Sequence, residues 1–453
     1  MVGSDNRGSK SRHMDINRRS ILSLTGAGMA AALAGCLGGD DDLGEIATSA
    51  DAHEGQTIGG LLKEGYESDV IVDHISDFEE STGTTVELER YTEEEAHQNF
   101  VLAANNDSDA YAFNTVQHWY YPQMDQNDWL TPMDELLQNH RADWVDIAYD
   151  GLFDSVKQPF ETDGNPHAIP HSLISGMFYY REDVFDELGL DEPETTADVL
   201  QASEEIADSD LDIVPNVGRT ASTFDSFGTW AGWAWGYGAR VLNDNGEVTV
   251  DTPEMHEAVE DYVTLMRDYG PEGAASIQWT DLPSYILSGD VAMLFGTTGW
   301  GGVFHEERDD IAETLITGPA DNYTQWLYAE GLGIPSWISD GSRSAAWQLT
   351  QWRMSEDVLL HEIETQNRFD IPHQGIMESD EYRQLAAERD MTDHVEVLQE
   401  SFEVLNDEYW PYVPEFAEIG NAFMQEMSNA IDEQQTPAEA VENAHANIEE
   451  ILE

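Results

Sequence analysis

Aromatic rings interleaved with amide, imidazole and carboxylate side chains are the groups in this chain best suited to chemistry, and that chemistry is capture. The 453 residues include 13 tryptophans, several at positions that read as loops. The C–H faces of a sugar or polyol pack on such rings, and its hydroxyls need a rim of donors and acceptors. Asn114, Gln117, His118 and Trp119 follow an apparent strand end, where ligands gather in open α/β sheets. Trp230 and Trp233 lie in a glycine-rich run, and Trp300 lies in Gly299-Trp300-Gly301-Gly302. His171 and His373 are further candidate donors. Each has a plainer reading. Buried tryptophans are mostly core, as expected of Trp347 and Trp352 on a helix; Trp326 reads as hinge or core packing, and a lone histidine more often has no special role.

Other chemistries find little support. No His-Glu-x-x-His occurs and the 14 histidines are scattered, so no metal centre or cofactor is expected. Gly296-Thr297-Thr298-Gly299 lacks the Lys-Ser/Thr of a phosphate loop, and no Gly-x-Ser-x-Gly elbow appears. A glycoside hydrolase needs two carboxylates facing across the scissile bond, and 91 acidic residues leave that rival open. A surface-layer or adhesion protein would show repeats or β-rich domains, and this chain shows neither.

The acidic excess is itself informative. Asp plus Glu number 91 against 19 Lys plus Arg, a formal net charge of −72, and Lys10, Lys63 and Lys157 are the only lysines. The carboxylates are spread along every segment instead of forming a tail, and no calcium-loop spacing occurs. At ~1 M salt the Debye length falls to roughly 3 Å, which screens such self-repulsion. The pattern resembles proteins of extreme halophiles and makes nucleic acid and anionic membrane surfaces poor partners.

The N-terminus reads as an address. Arg18-Arg19 precede an apolar, small-residue run from Ile21 to Gly35, too short to span a membrane and similar to a twin-arginine export signal. Leu33-Ala34-Gly35-Cys36 resembles a lipobox, with the chain's single cysteine as the lipidated residue. Residues 1–35 are therefore expected to be removed, and 36–55, acidic and glycine-containing, to form a flexible tether. The expected location is the outer face of the cell membrane, held there only through lipid at Cys36.

From Gln56 onward, short apolar runs alternate with helical patterns, which argues for α/β layering. Ile71, Ile75 and Phe78 recur at helical spacing, Gly83 ends that helix, and Thr84 to Leu88 alternates as a strand. Thr195, Thr252-Pro253 and Thr436-Pro437-Ala438-Glu439 read as helix starts.

The order of motifs resembles the family 1 extracellular solute-binding proteins, the maltose-binding-like group of ABC importers. Phe78 to Val86 matches "F-x-x-x-T-G-x-x-V", and Trp129 to Leu136 matches "G-x-L-x-P-L-D-x-L". Ile169-Pro170-His171 and Met177 to Phe185 match the "lyYrkDlf" stretch. Ser288 to Met293 matches "F-x-x-G-x-A-A-M", Glu330 to Pro335 the late strand, and Val413-Pro414-Glu415-Phe416 the closing segment. The resemblance spans nearly all of residues 56–453. It implies an α/β, two-lobed periplasmic-binding-protein-like fold with a hinge and an interlobe ligand cleft. Lobe I would comprise 56–168 and 322–373 and lobe II 169–321 and 374–453, with hinge crossings near 166–172, 318–325 and 372–379. It implies conformational capture without catalysis, no cofactor, a monomer, and the membrane permease of an ABC importer as partner. It adds Phe227, Glu330, Tyr409 and Trp410 to the candidate ligand contacts and assigns Trp300 a stacking role. Tyr409-Trp410-Pro411 and His373 depart from residues usual in relatives, which bears on ligand identity.

Overall fold

The computed structural model describes residues 43–405 and 409–453, so Arg18, Arg19 and Cys36 lie outside the described residues. Three strands alternate with helices at the start: β1 (Thr57–Lys63), β2 (Thr85–Tyr91) and β3 (Phe113–Gln117). A small hairpin of β4 (Glu161–Thr162) and β5 (Asn165–Pro166) precedes the long β6 (Ala168–Arg181). β7 (Val214–Val217), β8 (Val291–Thr297), β9 (Ile311–Thr314) and β10 (Leu327–Gly333) complete the set. The main path runs β2-β1-β3-β10-β6-β8-β7, with β9 paired to β6 beside it. β1 pairs in parallel with β2 and β3, and β7 with β8, the geometry that helical crossovers produce.

β6 explains the two-part architecture. All 14 of its residues are buried. Ala168 to Ser175 pair with β10, whereas Gly176 to Tyr180 pair with β8 and Phe178 to Arg181 with β9. One strand thus belongs to two sheets, each covered by helices, and the changeover falls between Ser175 and Gly176. Gly176 is required there: a Cβ would lie 2.5 Å from Trp326 Cδ1.

This placement corrects the expected boundaries. Residues 169–175, assigned from sequence to the second half, belong by pairing to the first, because they bond to β10, which pairs on its other side with β3. The return crossing falls at 324–326, where Thr324 N donates to Ile316 O on one side and Gly176 N donates to Trp326 O on the other. The third lies beyond the expected 372–379. His373 still pairs with Leu152 of the first half, and the helix Thr392–Val404 touches both halves, through Phe402 on Phe153 and His394 on Glu313.

The described part of the expected tether is docked. Residues 43–55 pack on the first half: Ile46 is buried, Arg343 donates to Leu43 O, and Gln348 donates to Ala47 O and Ser49 O. A few apolar atoms and satisfied carbonyls suffice to dock a segment whose side chains are mostly polar.

Local signals position the helices. Gly83 closes the helix Tyr66–Thr82 in the left-handed region, at φ 70°. Thr195 and Thr436 form capping boxes with Asp198 and Glu439, and Thr252 caps the helix that Pro253 begins. Among the described residues no helix is long and apolar enough to cross a membrane.

Candidate functional site

A cleft of about 690 Å³ separates the two halves. Its walls come from the carboxyl ends of the parallel strands, where side chains leave the sheet and meet helix starts. On one wall stand Lys63 at the end of β1, Glu93 in the first turn of the helix Glu93–Asn105, and Trp119 and Tyr120 after β3. The opposite wall presents Arg219 after β7, Phe224 and Asp225 in the first turn of the helix Phe224–Gly236, and Thr297 ending β8. Ile174, Trp326 and Tyr328 form the base at the crossing.

Beneath the first wall lies a buried charged network. Glu330 is fully buried at an irregularity where it faces Ser172 while Gly331 faces Pro170, leaving His171 as the extra residue of β6. Glu330 accepts from Gln117 Nε2 at 2.9 Å and Tyr328 Oη at 2.8 Å. His171 Nε2 stands 3.2 Å and Lys63 Nζ 4.0 Å from its oxygens. Burial alone would raise this carboxyl, but Lys63, His171 and Gln117 outweigh it and hold Glu330 well below the usual carboxylate range. His171 is pulled down by burial and stays neutral. Burial likewise lowers the Lys63 ammonium, but Glu67, at 3.0 Å, with Glu330 and Glu93 reverses the effect and lifts it to about 12.

Glu93 has the opposite character. Burial pushes its carboxyl up to about 8; Lys63 and the Trp119 N–H pull it down, while Asp225 and Glu330 add to the rise. At neutral pH it is a protonated acid, accepting from Trp119 Nε1 at 2.8 Å and able to donate its own proton. On the same wall His97 lies flat on Tyr120, ring centroids 3.7 Å apart, and burial lowers it to about 4, so it too is neutral.

Across the cleft Arg219 lies over the Trp326 ring at 5.0 Å. None of the side-chain hydrogen bonds or salt bridges among the described residues uses its guanidinium, which leaves five N–H donors beside an open volume. Burial lowers its pKa, with Asp225 opposing; the group nevertheless stays charged. The wall therefore combines rings, neutral donors and acceptors, and one uncommitted cation.

Of the residues singled out from sequence, Trp119 lines this cleft. The others are placed elsewhere. Gln117, His171 and Glu330 form the network under the wall. Asn114 is buried within β3, and its Nδ2 donates to Thr115 O. His118 is buried, its two ring nitrogens facing Ala329 N and the Trp410 indole nitrogen, only one of which it can accept from. Phe227 and Trp230 pack in the core with Phe423, the Trp230 centroid 4.1 Å from it. Trp233 donates to Ala258 O, and Trp300 sits against Phe304. Tyr409 Oη accepts from Leu327 N, tying the segment after residue 408 to β10. Trp119 and Trp300, both expected as ligand contacts, therefore do not both line the cleft. Trp119 instead meets Phe224 and Phe416 from the other half, at 5.7 and 5.9 Å. Lys63, Glu93, Tyr120, Arg219, Phe224 and Tyr328 were not anticipated. A signal existed for Lys63 alone, one of three lysines in so acidic a chain.

Comparison with known proteins agrees with this geometry. The family described as bacterial extracellular solute-binding protein matches residues 60–355. A mannitol-binding protein of Pseudomonas aeruginosa is 26% identical over 245 residues, 50% of this chain and 52% of that protein. The chain spans about half the length of the curated relatives it matches. A solute-binding protein of an Agrobacterium vitis ABC transporter, solved with D-mannitol, superposes with a TM-score of 0.75 at 21% identity, covering 87% of this chain and 98% of the other. One from Agrobacterium radiobacter, solved with ribitol, gives 0.76 at 17% identity over 88% and 99%. These two likenesses speak for the fold. Two sheets sharing one strand, a cleft at the strand ends and a family match over more than half of the sequence lead to one assignment: this chain belongs to the bacterial extracellular solute-binding proteins.

Proposed function

We propose that the chain captures an uncharged sugar or polyol in the cleft and delivers it to an ABC importer, anchored outside the cell through lipid at Cys36. The family is one of non-catalytic binding proteins, which removes the ground for the hydrolase alternative. The observation that carries the ligand class is the lining itself. Both walls bring aromatic rings to the cleft, Trp119 and Tyr120 from one and Phe224 from the other, among side chains that can form hydrogen bonds. The cleft lies within the usual volume range for small-molecule sites. Its cations are poorly arranged for an anion: Lys63 is already paired with Glu67, and Arg219 stands in the field of Asp225. Relatives bound to mannitol and ribitol make linear polyols the first class to test.

Closure would follow from contacts on both halves that favour the shut state, with the crossings at 175–176 and 324–326 as pivots. Thermal melting and calorimetry in molar salt, with mannitol, ribitol, other polyols and mono- and disaccharides, test the reading. At 100 times its Kd a ligand adds about 2.7 kcal/mol of stability, and one class should do so while being recovered unchanged. The reading fails if none of these compounds shifts the melt, or if the bound compound is cleaved.

A further inference from the structure

Capture leaves one group of ligating side chains unused. His305 lies on the helix Gly301–Glu307 and Glu313 on the following strand β9, whereas His394 comes from the helix Thr392–Val404, far along the chain. Their ligating atoms all fall within 4.8 Å of one another. His305 Nε2 is 3.2 Å and His394 Nδ1 2.8 Å from the same oxygen, Glu313 Oε1. We propose that His305, Glu313 and His394 form a site for a divalent transition metal of the zinc class, pinning the helix Thr392–Val404 to the second half.

Two features support the site. Glu313 Oε2 is buried and has no hydrogen-bond partner among the described residues, although its side chain is only 4% exposed. A buried carboxylate oxygen left unmatched costs about 1–3 kcal/mol or more, and a bound cation is the partner that would satisfy it. Two imidazole nitrogens and one carboxylate are the donor set that suits zinc with a fourth position for water.

The ring of His394 is held closely, since a Cβ on Gly301 would lie 2.0 Å from its Cε1. The helix it belongs to also contacts the first half, where Phe402 meets Phe153 at 5.5 Å and Gln399 donates to Met377 O. A metal at its other end would make that helix a fixed arm of the second half bearing on the first.

Cobalt(II) added to the chelator-treated full chain in molar sodium chloride is the probe. One equivalent should develop visible d–d absorption, zinc should abolish it by displacement, and zinc should raise the melting temperature. His305→Gln alters the most exposed ligand of the three and should lower zinc affinity by about 100-fold or more, beyond the loss seen for outer-shell changes, while the metal-free protein melts within a few degrees of the parent. His394→Gln should do the same if it folds. Absence of a visible band, or bands equally strong in both variants, would assign any cobalt bound to the acidic surface and overturn the site.

Discussion

Glu330 and Glu93 are the same residue type placed on opposite sides of one wall, and they end in opposite states. Glu330, under the floor, receives an ammonium, an amide, a phenol and an imidazole, and it ionises although no solvent reaches it. Glu93, at the surface of the cleft, receives one indole N–H and faces Asp225, and it stays protonated to about pH 8. Burial penalises both charges; the partners decide which one survives. The floor thereby spends most of its polar groups on one another, while the wall keeps neutral groups that can both donate and accept. A binding protein for uncharged solutes needs both regions, one to hold the strand ends and one to read hydroxyls.

The largest expected effect concerns the background against which both carboxyls sit. With a net charge of −72, moving from molar salt to below a few tenths molar lengthens the Debye length from roughly 3 Å toward 10 Å, and surface repulsion should unfold the chain. Circular dichroism through a salt dilution would show this, and a spectrum unchanged in dilute buffer would remove the salt-adapted reading. Next in size is Glu330→Gln. It removes one partner of a buried ion cluster and should cost about 3 kcal/mol, the lower end for such breaks because Lys63 keeps Glu67. Urea melts in molar salt would measure it. The sign with pH is fixed: a carboxyl whose folded pKa is depressed stabilises above its unfolded value and loses that contribution as pH falls through the folded one. Parent and variant should therefore converge in acid.

Smaller still is Arg219→Gln, on the wall facing Glu93. Its cation–π contact with Trp326 contributes about 0.5–1 kcal/mol, so stability should barely move. A charge-assisted bond to a ligand hydroxyl is worth about 1.5–3 kcal/mol, so affinity for whichever polyol or sugar binds should fall about tenfold or more by calorimetry. Equal affinity would show that the uncommitted guanidinium does not face the guest.

The sequence made the layering legible because its signals are local. Gly83, the Thr195 and Thr436 boxes and Thr252-Pro253 each act within one turn of chain, and each sits where its spacing indicated. The cleft was not legible, because it is a product of convergence. Arg219, Phe224 and Tyr328 meet Trp119 only after β6 has passed between sheets. The tryptophans of the glycine-rich run, Trp230 and Trp233, face inward, since the helix Phe224–Gly236 is buried along most of its length and its glycines admit large neighbours: Gly228 approaches Trp410, and Gly232 the backbone of Thr324. The histidines looked scattered for the same reason. His305 and His394 are distant in sequence and adjacent only because one helix reaches across to β9.

Glu93→Gln gives the smallest effect and the sharpest reading of the comparison. Glutamine keeps the acceptor for Trp119 Nε1 and cannot ionise. Below the unfolded carboxyl value near 4.5 both forms of the parent are protonated, so parent and variant should match. As pH rises toward about 8 the unfolded parent releases its proton while the folded one retains it, and stability falls across that window. Above it the folded carboxyl ionises and the deficit stops growing. The variant has no such slope, so it should melt higher than the parent at pH 9, by on the order of 1 kcal/mol once solvent screening of this partly exposed group is allowed for. Urea melts at pH 5 and pH 9 in molar salt would separate the cases. A constant difference at both pH values would mean that Glu93 is ionised like Glu330, and that the wall carries charge where the capture of a neutral guest requires none.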